Sequence, residues 1–483
     1  MKTTITTSLI AITCMMNAQN WPNAKPPIAE KQDHLREIHG DKVNDSYYWM
    51  NAYFKKGKDS TKVVNYLTAE NTYWETMMKD TEPFREQLFQ EMKARVKEKD
   101  ESVPVFKNGY YYYSKTETGK QYFKYCRKKG NLQAPEEILL DVDQMAEGKA
   151  YYSAAGFSIS PDNSKLIYGV DDVSRRQYKL FLKDLTTGKT TDLGIKNVES
   201  GTVWAEDNKT IFYTGKNETT LLSEKIIRHT LGTDPSKDVT VYEEKDKSNY
   251  IGAVKSKNSK FIMIYSSATT SSEIRYIPSD QPYETFKVFQ ARMKDVIYDI
   301  TPLEDKFLIV TNKDALNFKV METPLNKTSL ENWKDVIPHR KDVLVEGIEE
   351  FKNYLVFSER QNGLGQLVIQ DRKTGKKEFL KFDEPTYALR PMGNPEYNTD
   401  NFRYGYTSMV TPMSQYEQNL ATGERKLLKQ QEVVGGYDKT QYVTERIFAT
   451  AKDGTKIPMS IVYKKGLVKN GKNPLLLYAY GSY

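Results

Sequence analysis

Residues 160–169 read S-P-D-N-S-K-L-I-Y-G, a polar turn followed at once by a short apolar run. Pro161 fixes its own φ and Asp162 can bond the backbone two residues on, so the first half is turn chemistry; neither Ser160 nor Asp162 reads as a catalytic group. The second half is of the β-branched and aromatic kind that suits a strand. The combination returns. Runs of this type start at Tyr110, Leu166, Ile211, Phe261, Phe307, Tyr354 and Phe402, separated by 56, 45, 50, 46, 47 and 48 residues. Polar turns precede most of them, as in Glu206-Asp207-Asn208, Lys257-Asn258-Ser259 and Glu304-Asp305. A second turn follows in constant phase, as D-L-T-T-G at 184–188, D-R-K-T-G at 371–375 and N-L-A-T-G at 419–423. A period of 40 to 50 residues with several short strands per unit predicts a β-propeller, because each small sheet can bury its faces only against its neighbours. Seven beats predict seven blades over residues 101–430. Stacked β-sandwich domains are the alternative, but they would repeat at about 100 residues.

Outward from the repeat, the period changes. Toward the N-terminus, residues 19–100 read as an extended arm with Pro22, Pro26 and Pro27, followed by two helices. Val63, Leu67 and 74–78 carry one helical stripe; after a break at Asp80-Thr81, Phe84, Leu88, Met92 and Val96 carry another, with Pro83 near its first turn. That second stripe is expected to pack in a core. Lys2, the apolar run 8–16 and Asn17-Ala18 have the order of a secretory signal peptide over residues 1–18. This predicts an exported, periplasmic protein, the alternative being a frayed N-terminus on a cytoplasmic one.

Toward the C-terminus, Gly435-Gly436 marks a linker, and 442–450 and 456–463 alternate as two strands around the Asp453-Gly454 turn. Pro474 then introduces L-L-L-Y (475–478), which reads as a strand buried on both faces, as in a parallel sheet. Gly481-Ser482 would turn the chain at the carboxyl end of that strand, where open α/β sheets place their chemistry. The expected fold class is therefore mainly β: a seven-bladed propeller with a helical N-terminal extension, and over 431–483 a linker and the first strands of an α/β-hydrolase domain.

Composition agrees with a large β-structure. Aromatics reach 12%, with 34 Tyr against 5 Trp, as expected where exposed strand faces carry partly polar rings. The net charge of +7 is 71 basic minus 64 acidic residues, and both signs are spread along the chain. That pattern argues against a nucleic-acid partner. Two cysteines, Cys14 and Cys126, cannot build a disulfide framework. No run approaches the length of about 20 apolar residues that a membrane span needs. The four histidines, His34, His39, His229 and His339, lack metal-ligand company, so neither a metal nor another cofactor is expected.

Hydrolysis on an α/β core needs a serine on a sharp G-x-S-x-G turn, a histidine and an orienting acid. The nearest approach, Gly156 to Ser160, lacks the closing glycine, and no histidine follows His339. A triad is not expected within these 483 residues. A tyrosine hydroxyl just past a buried strand could be one donor of an oxyanion hole. Tyr478 and Tyr480 alternate in direction, so at most one can serve; two tyrosines bonded under a domain interface are the other reading.

The segment Y-V-T-E-R-I-F-A-T-A-K-D-G-T-K-I-P-M-S-I-V-Y-K-K-G (442–466), continued by G-K-N-P-L-L-L-Y-A-Y-G-S-Y (471–483), resembles the start of the catalytic domain in the prolyl oligopeptidase family of serine peptidases. Y-Y-W-M (47–50), M-K-A-R-V-K-E-K-D-E-S-V-P (92–104), R-H-T-L-G-T (228–233), E-R-Q-N-G-L (359–364) and G-Y-D (436–438) place the resemblance closest to the oligopeptidase B branch. It implies a propeller capping an α/β-hydrolase domain, short peptides as substrates cut after Lys or Arg, and exclusion of large folded proteins. Prolyl specificity within the same family, or a non-catalytic peptide-binding propeller, are the alternatives. The family's Y-G-Y-G motif reads Y-A-Y-G here, which puts the oxyanion role on Tyr480, with Ala479 departing from the usual glycine. Tyr483 corresponds to an aromatic of the substrate pocket in prolyl-specific members. The triad and the acidic residues that select Lys or Arg would lie beyond Tyr483, and the 483-residue chain is expected to be inactive alone, as a monomer or weak homo-oligomer.

Overall fold

The computed structural model describes residues 22–55 and 58–481. The expected signal peptide over 1–18 and the pocket aromatic Tyr483 lie outside them. The chain divides into two units after Val96.

In the first unit, strands Leu35–Ile38 and Asp41–Asn44 pair antiparallel across His39-Gly40. Both turn residues hold positive φ, 54° and 83°, the requirement of a tight hairpin turn with the right twist. Two helices follow, Lys58–Met78 and Glu82–Ala94, joined by a 3-10 turn at Lys79–Thr81, with proline in the opening turn of the second. Val63 is buried, but Phe84, Leu88, Met92 and Val96 are exposed. The expectation that this stripe packs in a core is therefore corrected: no described residue of the unit covers it. Among the described residues, no helix is long and apolar enough to cross a membrane.

The second unit is a β-propeller. Five separate four-stranded sheets occur at 105–141, 250–290, 298–337, 343–379 and 388–430, here blades 1 to 5, each meandering in strict sequence order. All seven sequence beats are strands, and each is the second of its unit: Tyr110–Lys115, Lys165–Asp171, Thr210–Lys216, Phe261–Ser267, Lys306–Thr311, Tyr354–Gln361 and Asn401–Thr407. Seven separate blades, however, are not what the sheets make. The beats at Leu166 and Ile211 share one seven-stranded sheet over 153–243. The cause is the 15-residue strand Thr190–Trp204, which pairs through 190–198 with Tyr178–Asp184 and through 198–204 with Thr210–Lys216. The strand shifts register between 192 and 198 on one side and between 198 and 202 on the other, with 199–201 paired to neither neighbour, yet it carries on as one strand and the gap implied by the sequence spacing does not open.

Neighbouring sheets bury their faces on each other. Met263, Ile274 and Phe289 of blade 2 meet Tyr298, Phe307 and Trp333 of blade 3. Leu308 and Val320 of blade 3 meet Val345, Phe357 and Val368 of blade 4, and Val356 and Leu367 of blade 4 meet Phe402 and Tyr404 of blade 5. The repeated second turns are one device. The Asp184, Asp371 and Asn419 side chains each accept two backbone N–H bonds at 2.7–3.0 Å from the residues two and three positions on. Gly188, Gly375 and Gly423 close each turn at φ 73–76°, where a side chain would be strained.

Blade 1 and blade 5 each own all four of their strands, so no shared strand seals the ring. Side chains bridge the seam instead. Arg403 Nη1 donates to Pro104 O at 2.6 Å, Asn108 N to Glu396 Oε2 at 3.0 Å, and Lys429 Nζ to Asp100 Oδ2 at 2.6 Å.

Candidate functional site

Beyond Gln430 the chain forms the expected hairpin, Tyr442–Thr450 paired with Lys456–Lys464 around Gly454 at φ 88°. The hairpin rests on the propeller through few contacts. Arg446 donates to the carbonyl of Asn362, the Thr386 and Ser460 hydroxyls bond each other, and Gly363 faces Pro458. Asn362 and Gly363 form the turn between the second and third strands of blade 4.

The buried strand expected at 475–478 is not formed. Residues 474–480 have no strand pairing, and Leu475 to Tyr478 are between 77% and 89% exposed. A strand exists through its neighbours, and the described residues offer none to this segment. Tyr480, the expected oxyanion donor, is 66% exposed.

The histidines are all accounted for. His34 stacks on Tyr48 with ring centroids 3.7 Å apart, and His39 sits exposed in the first hairpin turn. His229 is buried, its Nδ1 2.7 Å from Asp238 Oδ1, and Tyr213 donates to the other carboxylate oxygen at 2.9 Å. Its Nε2 has no partner, nor has that of His339. The His229–Asp238 pair has the geometry of an acid orienting a base, but it is sealed inside a sheet with no nucleophile at its free nitrogen. Among the described residues no three His, Cys, Asp or Glu are placed to hold a metal.

A cavity of about 1110 Å³ opens at the other end of the strands from the hairpin. Its walls are the turns between first and second strands: Lys107-Asn108 of blade 1, Ser160 to Asn163 and Glu206 of the long sheet, Ser256 to Ser259 of blade 2, and Asn394 to Asn398 of blade 5. Ser160, set aside as turn chemistry, does that work here, donating to Asp162 Oδ1 at 2.5 Å. Two of the cavity's lysines are neutralised, Lys255 by Glu206 and Lys257 by Glu349. Lys107, exposed to solvent, makes no ion pair among the described residues. On the inner strands of blades 3 and 4, burial raises the carboxyls of Asp299 and Glu350, the latter to about 7. Sequence reading missed these groups, since an inner-strand charge looks like any exposed one until the ring closes around it.

The family model for the prolyl oligopeptidase N-terminal β-propeller domain matches residues 26–431. Dipeptidyl aminopeptidase BI of Pseudoxanthomonas mexicana is 42% identical over 479 residues, covering 95% of this chain and 65% of that protein. Protease 2 of Moraxella lacunata is 34% identical over 467 residues, covering 95% and 66%. Oligopeptidase B from Leishmania major superposes with a TM-score of 0.83 at 28% identity, over 93% of this chain and 66% of that one. The Trypanosoma brucei oligopeptidase B, in its closed form with covalently bound antipain, gives 0.84 at 26%, over 95% and 68%. The chain thus spans 65–66% of the length of these curated relatives.

Proposed function

Because the chain belongs to the prolyl oligopeptidase family, we propose that it is the propeller-bearing part of a serine peptidase of the oligopeptidase B type, cutting short peptides after Lys or Arg. The observation that carries this reading is the superposition on oligopeptidase B over nearly the whole chain, joined to 34% identity with a protease 2. The propeller acts as a size filter, and residues 431–483 begin the α/β-hydrolase domain. Tyr480 is the oxyanion donor and Tyr483 a pocket aromatic. The 483-residue chain alone does not hydrolyse peptides, a reading supported by the burial of His229 away from any nucleophile. The protein is exported, on the strength of the signal-like order in residues 1–18.

A second reading is favoured by the 42% identity with a dipeptidyl aminopeptidase: release of dipeptides from a free N-terminus. One assay separates the two. The protein extended by the remaining third of its relatives' length is given Arg-ended chromogenic peptides with blocked and with free N-termini. Cleavage of the blocked peptide supports the endopeptidase, cleavage of the free one alone supports the dipeptidyl aminopeptidase, and cleavage of neither, where a proline-ended peptide added beside them is cut, defeats both. Tyr480→Phe should lower kcat roughly 100-fold with KM little changed, the loss of one oxyanion donor. Cleavage by the 483-residue chain itself would refute the claim that it is inactive.

A further inference from the structure

The turns at the cavity mouth are of unequal length. Most of those between first and second strands run from two residues, 108–109, to five, 256–260; that of blade 5 has nine, 392–400. Both ends of this longest turn are held within their own blade. Met392 N and Asn394 Nδ2 donate to Arg403 O at 3.1 and 2.8 Å, and Leu420 N donates to Asp400 O at 2.7 Å. Between the ends, Glu396 and Tyr397 bond to three other blades. Glu396 Oε2 accepts the Asn108 N–H of blade 1 at 3.0 Å, and Tyr397 O accepts the Lys352 N–H of blade 4 at 3.0 Å. The Tyr397 hydroxyl accepts from Arg372 Nη1 of blade 4 at 3.1 Å and donates to Glu304 of blade 3, which Arg372 Nη2 also holds at 3.0 Å. Residues 394–398 form part of the cavity wall.

We propose that residues 392–400 are a releasable strap across the cavity mouth, fastening blade 5 to blades 1, 3 and 4, and that Glu396 and Tyr397 let go together. Hydrogen bonds at a partly wet surface are individually weak, and the Glu304–Arg372 pair is partly exposed, at 42% and 19%. The bonds to three blades converge on two adjacent residues, so one local movement of the turn releases them all, at far less cost than opening a strand ladder. The strap thereby sets the width of the mouth at the end of the propeller away from the hairpin. That this width screens peptides rests on the size-filter reading; the strap itself does not.

The test is hydrogen exchange of the 483-residue chain and two variants, followed by mass spectrometry at single-amide resolution. Tyr397→Phe removes only the hydroxyl's bonds to Glu304 and Arg372 and leaves in place the acceptors of the Asn108 and Lys352 amides. Both amides should nonetheless exchange roughly fivefold faster, the effect of releasing about one hydrogen bond. Glu396→Ala, reciprocally, should speed exchange at Lys352, whose acceptor it does not touch. Strands 401–407 and 414–419 should keep their protection in both variants. Chymotrypsin gives a second reading, since position 397 is a cleavage site with either ring: clipping there should quicken by a similar factor in Tyr397→Phe, because cleavage follows the population of the open form. Unchanged Asn108 exchange or clipping in Tyr397→Phe, unchanged Lys352 exchange in Glu396→Ala, or faster exchange throughout blade 5 overturns the strap. None of these outcomes depends on peptidase activity, which the chromogenic assay judges by itself.

Discussion

Lys429 Nζ stands 2.6 Å from Asp100 Oδ2, joining the last strand of the last blade to a residue 329 positions earlier. With Arg403 on Pro104 O, it closes a ring that no strand crosses. The pair is partly exposed, at 31% and 39%, and such pairs are worth about 1 kcal/mol or less. Lys429→Ala should therefore leave global stability nearly unchanged while speeding hydrogen exchange at 100–107 and 425–430. Arg403 is more enclosed and also binds Glu417 at 2.7 Å; Arg403→Ala should cost about 2 kcal/mol in denaturant unfolding. Equal effects of the two changes would contradict this ranking.

Gly156 has φ 70°, and a Cβ there would lie 2.0 Å from the Ser200 carbonyl oxygen. The obstacle is backbone of the long strand, which cannot swing aside as a side chain could. Gly156→Ala should destabilise by about 3 kcal/mol through strain and overpacking together, read as a lowered urea midpoint. Gly188→Ala, with open space around its Cβ, carries only the conformational cost and should lose about 1 kcal/mol.

Glu350 supplies a pH dependence. Burial pushes its carboxyl from 4.5 up to about 7, with Lys257 opposing and Glu349 and Asp299 reinforcing. Between those values the folded chain holds a proton that the unfolded chain releases, so stability falls as pH rises through that window. Glu350→Gln should flatten the fall and gain on the order of 2 kcal/mol at pH 8 relative to pH 4.5. Thermal unfolding across pH 4.5–8 measures it; an unchanged slope would count against the assignment.

The hairpin's seat should be separable from the propeller. At Gly363, φ 72°, a Cβ would meet Pro458 Cγ at 2.9 Å and Arg446 Nη2 at 3.1 Å. Gly363→Ala should raise hydrogen exchange over 442–464 severalfold while blades 1 to 3 keep their protection, since local opening needs less free energy than global unfolding.

Cys126 is buried, and burial followed by the nearby Glu136 pushes its thiol up to about 11. A thiol kept protonated is a poor nucleophile. Native protein at pH 8 should react with a thiol reagent at least about a hundredfold more slowly than the unfolded chain.

The repeat was legible because, in every unit after the first, the second strand is the most buried, so the apolar runs stand out at constant spacing. Asp184, Asp371 and Asn419 were readable as turns for the same local reason. The fusion over 153–243 was not, since it depends on one strand passing from its first partner to its second across 198–202, and a sequence such as T-T-D-L-G-I-K-N-V does not say whether that passage ends the strand. Leu475 to Leu477 misled: a fully apolar run reports what a segment prefers to be buried against, not whether that partner is at hand. The setting of Lys107 was invisible because Lys255 and Glu396, the charges that act on it, reach it only across separate blades.

The unbroken strand at 190–204 gives the ring an uneven stiffness. Where two sheets merely lie against each other, they can slide or tilt at the cost of some apolar contact; where one strand runs through, movement must bend that strand at 199–201, between its two sets of partners. Widening of the ring therefore comes first from the joints between separate blades, with the side-chain seam between 105–141 and 388–430 the softest of them, before 153–243 flexes.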